Sequence, residues 1–402
     1  MRLTDKEKRM LAGEQGEAVK TAMEILLSIG EAMEAEEMTQ VVSVQAMAHF
    51  GSLYIAGRDW LEKLACLGGR CCVPTTQDPA SIPFGCWQEM GYDSDYAENQ
   101  YRLRDAILKL GEMPKWSCTP YYQGSLPRAG QNIAWAESSA VSFANSVLGA
   151  RTNRTPAGIA VCAAITGRMP KYGLYLTENR RAKIKVVVEA GELSHLDYNT
   201  IGLILGRKAG AKIPAIYGLP PSVTNDDLKY LGASAASSGS VALYHADKIT
   251  PEALFTDVFG GQPPEDEFVI TRRDLDDEAA GMTSSDMGEP ELAVTGCPHY
   301  SAEEVIRLAH LVDGKKVAEG KAFWVFTTAE TENLVEKMEE GQMLRSAGVR
   351  LMAQTCLVIS PLPGSYKNLI TDSGKFASYL PSEHGIRIKY AAMEECVEAV
   401  TK

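Results

Sequence analysis

Cys297 lies in the stretch Thr295-Gly296-Cys297-Pro298-His299-Tyr300-Ser301, at the exit of an apolar run, Glu291-Leu292-Ala293-Val294, that reads as a buried strand. Directly after it, Ser301 to Glu304 spells the S-x-x-E capping box that opens a helix. Ligands of open α/β sheets collect at the carboxyl ends of strands, where helix N-termini also point. The turn therefore predicts an active site, with the helix after Ser301 aimed at an anionic group. A lone cysteine is otherwise a small buried hydrophobe. Cys356 ends a second predicted strand, Val349 to Gln354, and Cys118 lies in the proline-bounded loop Trp116-Ser117-Cys118-Thr119-Pro120. Three such thiolates can hold three corners of an iron-sulphur cluster and leave one iron open as a Lewis acid. A zinc site that includes His299 uses the same donor chemistry, and spacing alone does not choose between them.

Other chemistry-bearing residues carry weaker signals. Cys66 falls on a predicted helix face, and the adjacent Cys71 and Cys72 point to opposite sides of a strand, so these three read as core. His49, just before Phe50-Gly51-Ser52-Leu53, reads as a hydrogen-bonded structural histidine rather than a ligand, and Gly51 allows a close backbone turn. Glu137 sits in the first turns of a helical segment beginning at Ala134, where an acid is also an ordinary dipole partner. The polar loop Asn145 to Gly158 carries Arg151 and Arg154, residues suited to bidentate contact with a carboxylate or phosphate. Ser373-Gly374-Lys375 lacks the earlier glycine and the following hydroxyl of a Walker loop, and no dinucleotide fingerprint follows a strand.

The elements that must position these residues alternate. Helices are expected near 4–12, 15–29, 58–67 and 101–111, with strand-like runs at Met38 to Phe50 and Cys71 to Thr76. Residues 183–260 alternate strand and helix, and 261–290, rich in Pro, Asp and Glu, reads as an acidic linker. From 291 onward each predicted strand is followed by a helix long enough to cross back, so the strands should be parallel. The division is 1–182 with Cys118 and the substrate loops, 183–260, the 261–290 linker, and 291–402 with Cys297 and Cys356.

Composition narrows the class. The 402 residues, 45% hydrophobic and 23% charged, are those of a globular protein with a substantial core. A formal net charge of -12 with no basic run argues against a nucleic-acid partner. No apolar stretch is long enough to cross a bilayer, and the charged start, Met1-Arg2-Leu3-Thr4-Asp5-Lys6, has no apolar signal region after it. Nine scattered cysteines do not look like a disulfide framework, so a reducing cytoplasm is the expected compartment.

Several motifs together resemble the large subunit of the aconitase X branch of the aconitase superfamily. They are Val73-Pro74-Thr75-Thr76, Cys118-Thr119-Pro120-Tyr121, Trp135-Ala136-Glu137-Ser138-Ser139-Ala140, Asn145 to Arg154, Gly296-Cys297-Pro298-His299 and Ser373-Gly374-Lys375. The resemblance implies an aconitase-like, multi-domain α/β fold with mainly parallel, doubly wound sheets flanked by helices. It implies an iron-sulphur hydro-lyase of 4Fe-4S or 3Fe-4S type that dehydrates a small hydroxy carboxylic acid, of the phosphomevalonate or cis-3-hydroxy-L-proline kind. It matches Cys118, Cys297 and Cys356 to the cluster ligands and places substrate contacts at Gly51, Ser52, Leu53, Asp78, Pro79, Glu137, Ser138 and Lys375. Glu137 and Lys375 are the candidate catalytic residues, and Arg151 and Arg154 join Lys375 as candidates for a carboxylate clamp. The phosphomevalonate pattern has Gly-Val-Ser and Asn-Pro where this chain has Gly51-Ser52-Leu53 and Asp78-Pro79, and an acid at 78 repels a phosphorylated dianion. A small swivel-domain subunit is the implied partner, forming a heterodimer that is needed for activity. The alternative is a non-catalytic iron-sulphur or zinc-binding subunit.

Overall fold

The computed structural model describes residues 1–402, and its architecture is three parallel sheets flanked by helices, with one small antiparallel pair, Met38–Gln40 against Arg168–Pro170. In the first region Val44–Ala46 is the central strand, with Thr75–Gln77 on one side and Ala134–Trp135 on the other. Helices Phe50–Cys66 and Ser94–Leu110 make the returns that parallel strands require, and Ser138–Ser146 and Ala157–Thr166 follow the last strand of the sheet. The middle region orders His245–Ala246, Pro214–Tyr217, Ile184–Glu189 and Asp266–Thr271 in one sheet.

The third region orders Arg350–Ala353, Ala322–Thr327, Leu292–Tyr300, Asn368–Thr371 and Arg387–Tyr390, all parallel. All nine residues of the central strand Leu292–Tyr300 are buried, as expected where helices cover both faces. Chain order reverses on either side of this strand, so its carboxyl end is a topological switch point. The first sheet has the same arrangement around Val44–Ala46.

Cys66 and Cys72 are exposed rather than in the core, and three further departures from the sequence reading concern the elements themselves. Met38 to Phe50 is not one strand: it breaks after Gln40, pairs again at Val44–Ala46, and enters a helix at Phe50 because the Ser52 and Leu53 amides donate to the His49 carbonyl. Ala134–Trp135 is a strand, and the helix begins only at Ser138, with Glu137 as its cap. The acidic stretch is mostly built into the fold. Asp266–Thr271 pairs along its whole length with Ile184–Glu189, and Thr271 caps the helix Arg272–Gly281. The charges lie outward because this is an edge strand whose inner residue, Ile270, is fully buried.

Candidate active site

The carboxyl ends of the first and third sheets face each other. From the first sheet, Ala46 leads to His49, Gln77 to Asp78, and Trp135 to Glu137. Trp116 bridges Gln77 in parallel, which brings the Ser117-Cys118 turn to the same end. From the third sheet come Cys297, Cys356 beyond Ala353, and Lys375 beyond Thr371. A parallel bridge between Ala80 and Thr355 closes the two ends together, with Ala80 N–H donating to the Gln354 carbonyl at 2.8 Å.

Lys375 and Glu137 join the halves. The Lys375 ammonium is bonded to Glu137 Oε1 and lies 3.3 Å from Ser138 Oγ, and both charged side chains are buried. Burial alone would raise the Glu137 carboxyl, but Lys375, the Ser139 hydroxyl and the Ala140 N–H outweigh it and hold it below its ordinary value. Burial likewise opposes the Lys375 charge, yet Glu137 and the nearby Cys297 and Cys118 thiols keep it protonated. Lys375 is set by its own helix, Gly374–His384: Ser373 caps it by accepting the Phe376 N–H and donates to the Cys297 carbonyl. The middle region contributes Asn199, whose Oδ1 accepts the Gly374 N–H at 3.1 Å and the Ser234 hydroxyl at 2.9 Å.

The three thiols converge at this cleft. Cys118 accepts the His299 N–H at 3.2 Å, while Cys297 acts as donor to Cys356. Burial, with the neighbouring Glu137 and Asp78 charges, pushes Cys118 up; burial and Cys356 push Cys297 up. The contact from Cys297 holds Cys356 down against burial, with help from Lys375. Gly296 is required here, because at φ +87° a side chain would meet the Phe326 backbone of the adjacent strand. No group of three His, Cys, Asp or Glu side chains is drawn together tightly enough to enclose a metal ion. The donor chemistry, three thiols beside a buried ammonium, is nonetheless that of a thiolate-held inorganic group.

Beside the thiols lies an unsatisfied polar pair. His49 Nε2 stands 3.7 Å from Asp78 Oδ2, and both His49 nitrogens and Asp78 Oδ1 are buried without a hydrogen-bond partner. Burial lowers His49 to about 4, so the ring is neutral; burial, then Glu137 and Cys356, raise Asp78 well above the usual carboxylate range. Buried polar atoms without partners are rare and mark places where a ligand or water completes the set. His49 is thus the reverse of the hydrogen-bonded structural histidine that its sequence context predicts. No local pattern carried that information, which depends on Asp78 arriving from another strand.

Other expected residues fall differently. Pro79 is buried beside Asp78, and Ser138 donates to Glu137 at 3.1 Å. Gly51 packs its backbone against the Ile359 carbonyl, in the segment after Cys356, and its N–H donates to Ser81 Oγ at 3.3 Å. Ser52 is exposed and Leu53 half-buried on the same helix. Arg151 and Arg154 do not form the carboxylate clamp: Arg151 donates to the Tyr175 carbonyl and Thr177, Arg154 donates to the Ala236 carbonyl, and neither bonds to Glu137, Lys375 or a thiol. His299 is not available as a zinc ligand, because both ring nitrogens are engaged, one with Ser117 Oγ and one with the Thr355 carbonyl. The helix opened by Ser301 has its N-terminus closed by Glu304 and by Asp226, which accepts the Ser301 hydroxyl. The helices that begin at the cleft are those at Ser138 and Gly374.

Comparison with known proteins gives the family. Three profiles cover the chain in succession: "Aconitase X first domain" over residues 1–178, "Aconitase X second domain" over 182–280 and "Aconitase X third domain" over 290–402. The chain belongs to the aconitase X family. It is 39% identical over 390 residues to the phosphomevalonate dehydratase large subunit of Methanothermobacter thermautotrophicus, covering 96% of this chain and 95% of that one. It is 35% identical over 406 residues to the cis-3-hydroxy-L-proline dehydratase of Pseudomonas aeruginosa, covering 99% of this chain and 70% of that longer protein. The crystal structure of Thermococcus kodakaraensis aconitase X (holo-form) superposes with a TM-score of 0.90 at 32% identity over the full length of both chains. The aconitase X relatives are dehydratases, that is hydro-lyases, which disfavours a purely non-catalytic binding subunit. The second-domain profile runs through residue 280 and so takes in the strand and helix of the acidic stretch. No helix is long and apolar enough to cross a membrane.

Proposed function

We propose that this chain is the large subunit of an iron-sulphur-dependent dehydratase that removes water from a small hydroxy carboxylic acid, working with a small partner subunit in the cytoplasm. The observation that carries the reading is the meeting of three thiols and the Lys375–Glu137 pair at the facing ends of two parallel sheets. Cys118, Cys297 and Cys356 would hold the cluster. When bound, it supplies an open iron that acts as a Lewis acid on the departing hydroxyl. The partner is inferred from the relatives named as large subunits and from the longer hydroxyproline relative, of which this chain spans 70%.

The chain's own residues supply binding and charge control. Lys375 is the single ammonium at the thiols, so it meets the substrate carboxylate and the negative charge that grows as the α-proton leaves. Glu137 holds Lys375 in place and would yield one of its contacts to the substrate carboxylate. Ser138 bonds both and keeps the pair in register. His49 and Asp78 provide unpaired hydrogen-bonding atoms for the rest of the substrate. The Asp78 carboxyl, which burial, Glu137 and Cys356 push toward its neutral form, would be drawn to ionise by a substrate that offers a cationic donor there, and a phosphoryl dianion gives no such pairing. The phosphomevalonate and cis-3-hydroxy-L-proline classes differ in this feature.

The test is anaerobic production of the chain with a small partner, followed by iron and sulphide analysis and a dehydration assay with 5-phosphomevalonate and cis-3-hydroxy-L-proline. Iron, sulphide and turnover of one hydroxy acid are expected. Zinc without iron, or no dehydration by an iron-loaded pair, would overturn the proposal.

A further inference from the structure

We propose that His299 is a positioning residue that sets the three site thiols relative to one another. Its ring is fully buried and uses both nitrogens. Nε2 lies 2.9 Å from the Thr355 carbonyl, which can only accept, so Nε2 carries the proton and donates. Nδ1 is then the acceptor, and its partner at 3.0 Å is the Ser117 hydroxyl. Ser117 Oγ in turn receives the Thr119 N–H at 3.0 Å and stands 3.0 Å from the Thr119 hydroxyl, which completes its valence. The peptide N–H of His299 donates to Cys118 Sγ at 3.2 Å.

The choice of partners is what distinguishes this from an ordinary satisfied histidine. Ser117 immediately precedes Cys118, Thr355 immediately precedes Cys356, and His299 itself follows Cys297 by two residues. One ring therefore ties together the three segments that carry the thiols, which come from two different sheets. Thr355 extends the tie, since its hydroxyl donates to the Ala80 carbonyl at 3.0 Å, two residues after Asp78. The Cys356 segment needs such a tie. Gln354 before it adopts φ +65°, a region that non-glycine side chains rarely occupy and that persists where surrounding contacts enforce it. The N–H to Cys118 adds an electronic effect, because hydrogen bonds to ligating sulphurs are among the levers that set the potential of a thiolate-held group.

The brace is visible in the chain alone, whereas its effect on a bound cluster rests on the proposed function, so the two are tested separately. In the full-length, cluster-free chain held reduced, the alkylation rates of Cys118, Cys297 and Cys356 by iodoacetamide are followed by peptide mass spectrometry for wild type, His299→Phe, His299→Gln, His299→Asn and Ser117→Ala. Gln reaches the Thr355 carbonyl but not Ser117, and Asn the reverse. Cys118 should react faster in His299→Gln and Ser117→Ala, Cys356 faster in His299→Asn, and both faster in His299→Phe. In the loaded enzyme the same variants should lower iron retention about 10- to 100-fold and shift the cluster's spin-resonance signal. Wild-type alkylation rates in His299→Phe would overturn the proposal. If that variant does not fold, identical thiol patterns in the Gln and Asn variants would overturn it. Failure of dehydration in every protein tested would count against the proposed function and leave the alkylation result standing.

Discussion

The first and third sheets put the same feature, the carboxyl end of a switch-point strand, to opposite use. The third sheet has five strands, a fully buried central strand and ordered crossover helices, and it contributes the soft donors Cys297 and Cys356 and the one ammonium, Lys375. The first sheet has strands of two or three residues and contributes polar groups and acids: His49, Asp78, Glu137 and one thiol, Cys118. Neither half is a site by itself. The middle sheet makes the point from another side: its strands also lead to helix caps, at Ser194 and Thr224, and these share a cavity with Asp372 and Ala392 beyond third-sheet strands, yet no cysteine or lysine lines it. Facing strand ends are therefore not enough, and the proposed reaction centre is the pair that brings thiols and an ammonium together.

If the third sheet holds the inorganic group, its thiols should tolerate the least change. Cys297→Ser is expected to abolish iron and sulphide binding and reduce dehydration to background, read by metal analysis and turnover. Next in size is the pair that joins the halves. Lys375→Met should lower kcat by on the order of 10²–10³, the usual result of removing a group that meets developing charge. Retention of kcat with only a raised KM would reduce Lys375 to a binding group.

The first sheet should control which acid is accepted. Asp78→Asn replaces the carboxyl with a neutral amide, and the ratio of kcat/KM for 5-phosphomevalonate to that for cis-3-hydroxy-L-proline should rise by roughly tenfold, about 1.4 kcal/mol of discrimination. An unchanged ratio would remove Asp78 from substrate selection.

The smallest effect is on stability. Glu112 bonds to the Gln77 amide, and Gln77 Oε1 accepts the Ala48 N–H at 3.1 Å, so this acid supports the turn that carries His49. Burial raises Glu112 to about 8 from an ordinary 4.5. The folded chain therefore binds a proton that the unfolded chain has lost. Its contribution is complete below pH 4.5 and declines as pH rises, until it is gone above about 8. Glu112→Gln should flatten this part of the profile, so that its melting temperature relative to wild type is higher at pH 9 than at pH 6.

The two halves were unequally legible in the sequence. Beyond residue 291 the strand and helix segments are long enough for periodicity to show; Cys356 lies beyond the strand end at Ala353 as expected, whereas Cys297 lies within Leu292–Tyr300, just past Thr295, where the regular pairing with the neighbouring strand breaks. In the first half a strand of three residues leaves no period to read, and the run through Val44–Ala46 merged with the helix at Phe50. The resemblance carried Asp78, Glu137 and Lys375. It did not show that His49 lacks partners, because that depends on which groups other strands bring. The capping box at Ser301 was legible because it is local. Its surroundings were not, since Asp226 and Lys229 from a distant helix close that N-terminus and leave Gly374 and Ser138 to begin the helices at the cleft.

Cys118 is the one thiol that the first sheet contributes, so it decides whether the two strand ends share a single centre. Iron, sulphide and the spin-resonance spectrum of anaerobically produced Cys118→Ser, compared with wild type and Cys297→Ser, give the answer. Loss or alteration of the cluster in Cys118→Ser, as in Cys297→Ser, is the expected result. Wild-type iron, sulphide and spectrum in Cys118→Ser would mean that the third sheet holds its group without the first, and the shared site would be refuted.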